Sequence, residues 1–209
     1  MIQESIKQDH YRTISAPSEA LFKDRGSKFI ALAFPMKDES EFPEILEKVK
    51  KQYHDARHHC YAYRCQPKQA QARFNDDGEP AHSAGTPIFN ALMSKDLWDV
   101  VVIVVRYFGG TKLGVGGLIN AYRTAAEEAL EKAKPLDVYL YFYYEMRFPY
   151  SAMDEVMRVL PQTIFEIVDE SMAEDAGYRL KVRQSKKDLA LEQVKELYQV
   201  KIKEIEDHV

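Results

Sequence analysis

Cysteine is scarce in this chain, with only Cys60 and Cys65 among 209 residues. Two thiols cannot form a disulfide framework, which excludes a small cross-linked secreted fold. Long hydrophobic runs are missing as well. The longest, Val100–Val105, stops at Arg106, far short of the roughly 20 residues of a bilayer-spanning helix. The opening MIQESIKQDHYR has no basic segment followed by an apolar one, so no secretory leader is expected. Positive charge is not in excess either. A formal charge of −4 excludes nucleic-acid binding by bulk charge. What is present is ordinary for a globular protein: 45% hydrophobic and 30% charged residues exclude a mostly disordered chain. The length allows one domain or two small ones. The expectation is a cytoplasmic protein with reduced thiols and no membrane partner.

The charge sum hides local patches. No acid occurs between Ala56 and Asn75, where Arg57, Arg64, Lys68 and Arg73 lie, nor from Val100 to Ala126, where Arg106, Lys112 and Arg123 lie. Along the first part, strand and helix signals alternate. Strands are expected at Leu21–Phe22 and Phe29–Phe34, with a turn at Asp24-Arg25-Gly26 between them. Asp38 and Glu41 form a capping box for a helix reaching Gln52. His59–Cys65 and Ala72–Phe74 read as paired strands, and Thr86–Met93 as a short helix. Trp98–Tyr107 reads as a strand buried on both faces. A helix follows over Leu118–Ala133. Beyond Pro135, strands at Val138–Tyr144, Thr163–Val168, Tyr178–Val182 and Val200–Ile205 enclose two helices, with capping patterns at Ser151/Asp154 and Ser185/Asp188. The order β-α-β-β-α-β is the ferredoxin-like arrangement. The expected fold is therefore α+β, with domains at 1–135 and 136–209.

Two segments concentrate chemistry. The loop from Asp76 to Pro87 gathers Asp76, Asp77, Glu79, His82, Ser83 and Thr86, which suits acid–base work, cation binding, or simply a turn. The run from Arg106 to Gly117 joins a buried strand to a helix. Its glycines, Gly114, Gly116 and Gly117 among them, let backbone N–H groups approach an anion beside Arg106 and Lys112, or let the chain turn tightly. The run matches neither G-x-x-x-x-G-K-[ST] nor G-x-G-x-x-G, because Ile119 stands at the last glycine position. His54, His58, His59 and Cys60 do not share one face at metal-ligand spacing, so no metal and no cofactor are expected. In the second domain, alternation places Tyr139, Tyr141 and Tyr143 on the open face of the sheet. Arg179, Lys181, Arg183, Lys201 and Lys203 flank them, in the manner of a base-stacking platform. Tyrosine–cation pairs that merely cover the sheet are the plainer alternative.

Four blocks carry a resemblance. They are Ala56-Arg57-His58-His59-Cys60-Tyr61-Ala62-Tyr63, Asn75-Asp76-Asp77-Gly78-Glu79-Pro80, Gly85-Thr86-Pro87, and Val105-Arg106-Tyr107-Phe108-Gly109-Gly110-Thr111-Lys112-Leu113-Gly114. In this order they resemble the IMPACT/YigZ family. The resemblance implies a first domain similar to the βαβ domain of a small-subunit ribosomal protein and of elongation factor G domain IV. It implies a second domain similar to elongation factor G domain V. Both relatives work on ribosomal RNA, and eukaryotic family members regulate translation through a kinase activator, using an additional domain that this sequence does not show. The implied function is binding of RNA, the ribosome or translation factors, without a defined catalytic residue; a monomer is favoured, although the sequence does not fix the oligomeric state. Arg57, His58, His59, Arg106 and Lys112 are the expected phosphate contacts, and the Asp76–His82 loop would shape the cleft. The rival readings are an enzyme or small-anion binder built on Asp76, Asp77, Glu79 and His82, and a pure protein-interaction module.

Overall fold

The computed structural model describes residues 9–67, 69–172 and 174–206; most of the amino-terminal stretch read above for a leader lies outside them. Backbone contacts divide the chain into two compact units. One holds Tyr11–Val138, and the other holds Asp9, His10 and the chain from Tyr139 onward.

The first unit is built on β2 (Ser18–Asp24), β3 (Ser27–Pro35), α1 (Phe42–Gln52), β4 (His58–Cys65), β5 (Gln71–Asn75), α2 (Gly85–Ser94), β6 (Val100–Tyr107) and α3 (Gly114–Lys132). Its five-stranded sheet runs β2-β3-β6-β4-β5, and every pairing is antiparallel. Both β3 and β4 oppose β6. They are therefore parallel to each other, with β6 between them and α1 joining them, which is a split βαβ unit. The apolar run of β6 follows from this central place. Val100, Val102 and Val104 pack with Ile88, Leu92, Leu118 and Tyr122 on the α2–α3 side. Val101, Ile103 and Val105 pack with Phe42 and Val49 on the α1 side. Arg25 and Gly26 close the β2–β3 hairpin, both at positive φ, as a two-residue turn matched to strand twist requires. Asp38 accepts from the Ser40 N–H at 2.8 Å while Glu41 accepts from the Asp38 N–H at 2.9 Å. That closes the capping box ahead of α1.

The second unit contains β8 (Tyr141–Phe148), α4 (Met153–Val159), β9 (Glu166–Met172), β10 (Ala176–Arg183), α5 (Lys187–Val194) and β11 (Lys201–Ile205). The sheet order is β11-β8-β10-β9, antiparallel throughout, so the unit's first strand lies between its third and fourth. This is the ferredoxin-like order. Tyr144, Met146, Phe148, Leu180 and Val182 form the core with Val156, Leu160 and Val194 from the helical side. A separate two-stranded sheet pairs β1 (His10–Ile14) with β7 (Pro135–Tyr139). Among the described residues no helix is long and apolar enough to cross a membrane.

Three local expectations change. The strand expected over Val138–Tyr144 is two strands broken at Leu140. There the N–H donates to the Asp9 carbonyl and the C=O accepts from the Gln184 N–H, so neither joins a sheet ladder. Helix α3 begins at Gly114, four residues before the expected start, and takes Gly116 and Gly117 into its first turn. Helices α4 and α5 have no side-chain cap: Ala152 and Lys186 stand at the cap positions, and the Ser185 hydroxyl donates to the Asp9 carboxylate instead.

Candidate functional site

The Asp76–Thr86 loop is held by its own carboxylates, each turned to a different target. Asp77 and Gly78, both at positive φ, are the centre of a tight turn closed by the Glu79 N–H on the Asp76 carbonyl at 2.9 Å. One Asp76 oxygen accepts from the N–H groups of Ala84 and Gly85 at 2.9 and 2.8 Å, and the other from the His82 N–H at 2.9 Å. Asp76 thus satisfies the start of α2 from a distance in sequence. Asp77 accepts from the His59 N–H at 2.6 Å, and its carbonyl lies 2.8 Å from His58 Nδ1. Gly85 lies against the Asn75 backbone, where a Cβ would come within 2.7 Å of a nitrogen. Ser83 is buried and donates to the Pro80 carbonyl at 2.6 Å. His82 is exposed, with Nδ1 3.1 Å from the Thr86 hydroxyl.

Glu79 turns inward. Its Oε1 accepts from Arg106 Nη1 at 2.6 Å and from the Tyr122 hydroxyl at 2.7 Å, and the two charged side chains are only 4% and 8% exposed. The Cys60 sulfur lies 3.3 Å from that hydroxyl and 3.0 Å from the Asp76 carbonyl. Burial holds the Cys60 thiol and the Tyr122 phenol well above their ordinary values, so both stay protonated. A protonated buried thiol is a poor nucleophile. His59 is buried too, its Nε2 3.2 Å from the Tyr53 carbonyl, and desolvation lowers its pKa. Arg106, His59 and the three carboxylates are therefore engaged in holding the fold. The acid cluster of the sequence does not become a cluster of available carboxylates. Among the described residues no three His, Cys, Asp or Glu side chains gather as a metal would require.

The glycine run behaves differently along its length. Gly109 is fixed by packing: its N–H donates to the Ser27 hydroxyl at 3.1 Å, and a Cβ there would lie 1.8 Å from the Gly26 carbonyl carbon. Gly117 meets the Leu113 side chain, at 3.0 Å from a built Cβ. Gly110, Gly114 and Gly116 have nothing within 4 Å of that position, although Gly110 and Gly114 sit at positive φ, which favours glycine there for the backbone's sake. The first turn of α3 has no side-chain cap. Lys112 is exposed just before it, and Arg57 is exposed just before β4. The register pairs His58 with Arg106, so Arg57 and Lys112 lie at the same end of the sheet. His58 is half-buried there.

In the second unit Phe142, Tyr144 and Met146 pack toward the helices, which leaves Tyr141 and Tyr143 on the other face, half-buried. Tyr139 belongs to β7, not to this sheet. Each ring has a cation over it: Lys181 at 4.9 Å from Tyr141, Arg179 at 5.4 Å from Tyr143, Arg183 at 4.2 Å from Tyr139. Lys181 also pairs with Glu166 at 3.1 Å. Lys203 lies opposite Glu145 and Lys201 opposite Arg147 in the register. Carboxylates the sequence reading did not place on this face, Glu145 and Glu166, thus temper its charge.

Residues 25–130, half of the chain, match the family of the Impact N-terminal domain. The IMPACT family member in the pol 5' region of Thermus thermophilus is 36% identical over 156 residues, 75% of this chain and 84% of that protein. IMPACT family member YvyE of Bacillus subtilis is 39% identical over 120 residues, 57% of this chain; the match spans 55% of that relative's length. A solved structure described as that of a hypothetical protein aligns with a TM-score of 0.67 at 24% identity, over 96% of this chain and 100% of its own, a likeness of fold.

Proposed function

This chain belongs to the IMPACT/YigZ family, and on that premise we propose that it is a cytoplasmic, translation-associated protein whose first unit holds RNA by its phosphates. One observation carries the reading. Arg57 and Lys112 are exposed at the same sheet end as the uncapped first turn of α3, where Gly110, Gly114 and Gly116 leave the backbone open. Backbone N–H groups at a helix start attract anions, and the two cations add charge. Arg106 and His59 take a supporting role, because both are buried and partnered. Phosphate contacts give affinity without requiring sequence specificity.

Fluorescence anisotropy with a labelled ten-nucleotide oligouridine across a salt series tests this. Binding should weaken with salt by about 0.7 log units per log salt for each phosphate held. Arg57→Gln with Lys112→Gln should remove about 1.4 from that slope. An unchanged slope in the double variant would assign the glycines to chain reversal alone. Thermal stabilisation by a single small anion, with no oligonucleotide binding, would instead favour the small-anion reading.

A further inference from the structure

Phe108 is 58% exposed although it directly follows the most deeply buried strand of the protein. Its position is fixed. Gly109 behind it is in backbone contact with Gly26, so the Phe108–Gly110 segment is pinned to the tip of the β2–β3 hairpin. The Arg106 guanidinium lies 5.7 Å from the ring centre and is itself anchored on Glu79. The ring is therefore backed by a held cation, while more than half of the residue faces solvent. A rigid aromatic with two torsions loses little entropy on taking a flat partner.

The hairpin brings charge that the sequence reading did not assign. Arg25 sits in the turn, next to the Gly26–Gly109 contact, and Lys28 pairs across the sheet with Tyr107. Both are exposed. Among the described residues neither Arg25, Lys28, Arg57 nor Lys112 makes an ion pair. The carboxylates at this end are mostly engaged: Asp55 accepts from the Tyr107 hydroxyl at 2.6 Å, Asp77 from the His59 N–H, and Glu79 from Arg106; Asp24 is half-buried in the hairpin. Arg25, Lys28, Arg57 and Lys112 are thus exposed cations without an ion pair among the described residues, at the sheet end that carries Phe108.

We propose that Phe108 is a stacking platform for one base of a single-stranded nucleic acid, with Arg25 and Lys28 holding phosphates on the hairpin side of it. This rests on the RNA reading above and adds the strandedness of the ligand, the stacking residue and a second pair of phosphate contacts. An exposed aromatic among cations favours a base over an acidic peptide, because every base offers a π-face.

The same labelled oligouridine tests it on the full chain, with a labelled RNA duplex and polyglutamate as competitors. Phe108→Ala should weaken binding about five-fold or more with the salt slope unchanged, since stacking releases no counterions. Phe108→Trp should restore or exceed wild-type affinity. Arg25→Gln with Lys28→Gln should lower the slope by about 1.4. The duplex should compete poorly and polyglutamate not at all. If Phe108→Ala binds like wild type while Arg57→Gln/Lys112→Gln weakens, the platform is wrong and the phosphate reading stands. Loss in Phe108→Ala without recovery in Phe108→Trp, or equal competition by polyglutamate, also overturns the platform. If wild type binds neither single strand nor duplex, both readings fall together.

Discussion

Glu79→Ala is the most informative single change, because it asks whether that carboxylate is a structural counter-ion or a free acid. In the native protein Glu79 receives both the Arg106 guanidinium and the Tyr122 hydroxyl, and all three side chains are shielded from solvent. The Arg106 Nε is already buried without a hydrogen-bond partner among the described residues. Removing Glu79 strands a charge that has little water to turn to, which costs about 3–5 kcal/mol. The loss at Tyr122 does not add in full, because the two donors share one acceptor. Against a total stability of about 5–15 kcal/mol this is a large fraction. With a urea slope near 2 kcal/mol per molar, the midpoint should fall by roughly 1.5–2.5 M. The assay is built into the sequence. Trp98 is the single tryptophan, it is 3% exposed, and it belongs to the first unit, so its fluorescence follows that unit. Glu79→Gln keeps an acceptor and should lose less. Glu79→Leu combined with Arg106→Met removes both charges and should recover much of the loss, with a deficit of about 0.5–1.5 M left by the Tyr122 hydroxyl that loses its acceptor. A Glu79→Ala midpoint within about 0.5 M of wild type would refute the assignment. It would mean that the carboxylate is hydrated and available, and the acid-loop reading would revive.

Other expectations follow from the same contacts. Burial depresses the His59 pKa, so the unfolded chain binds a proton near pH 6.5 that the native imidazole refuses; stability by Trp98 fluorescence should hold above that pH and fall below it, and His59→Gln should flatten this part of the curve. Gly109→Ala places a methyl group 1.8 Å from the Gly26 carbonyl carbon. It should lower stability by about 1–3 kcal/mol or more as the hairpin tip is forced off the turn, read from the same urea midpoint. Gly116→Ala meets nothing within 4 Å. It should stabilise the helix by up to about 1 kcal/mol while weakening oligouridine binding; higher stability with unchanged binding would show that no ligand approaches there.

Much of the fold is legible because its signals are local. The apolar run of β6, the Arg25-Gly26 turn and the Asp38/Glu41 box each act within a few residues, where sterics and hydrogen-bond geometry decide the outcome. The break at Leu140 is invisible to such reading. The alternation of Tyr139, Tyr141 and Tyr143 continues through it, and what interrupts the strand is a pair of backbone bonds to Asp9 and Gln184. Strand β1 escaped for a related reason: its five residues, HYRTI, carry little alternation, and its partner β7 is more than a hundred residues away.

The acid loop shows where proximity in sequence misleads. Asp76, Asp77 and Glu79 look like one cluster, yet a tight turn rotates successive side chains away from one another. One carboxylate goes to a helix start, one to a strand N–H, and one to an arginine in the sheet. The partner of Glu79 is Arg106, on β6, and only the β4–β6 register brings the two segments together. Once these duties are assigned, the motif residues without a structural task are few. Arg57 and Lys112 make no ion pair among the described residues, Phe108 is exposed, and Gly116 pays the helix cost of a glycine with no neighbour to require it. A folding requirement explains none of these four, and they converge on one end of one sheet. Convergence of residues the fold does not need is what the proposed binding surface predicts, and on that proposal the hairpin at Arg25 extends it beyond the motifs themselves.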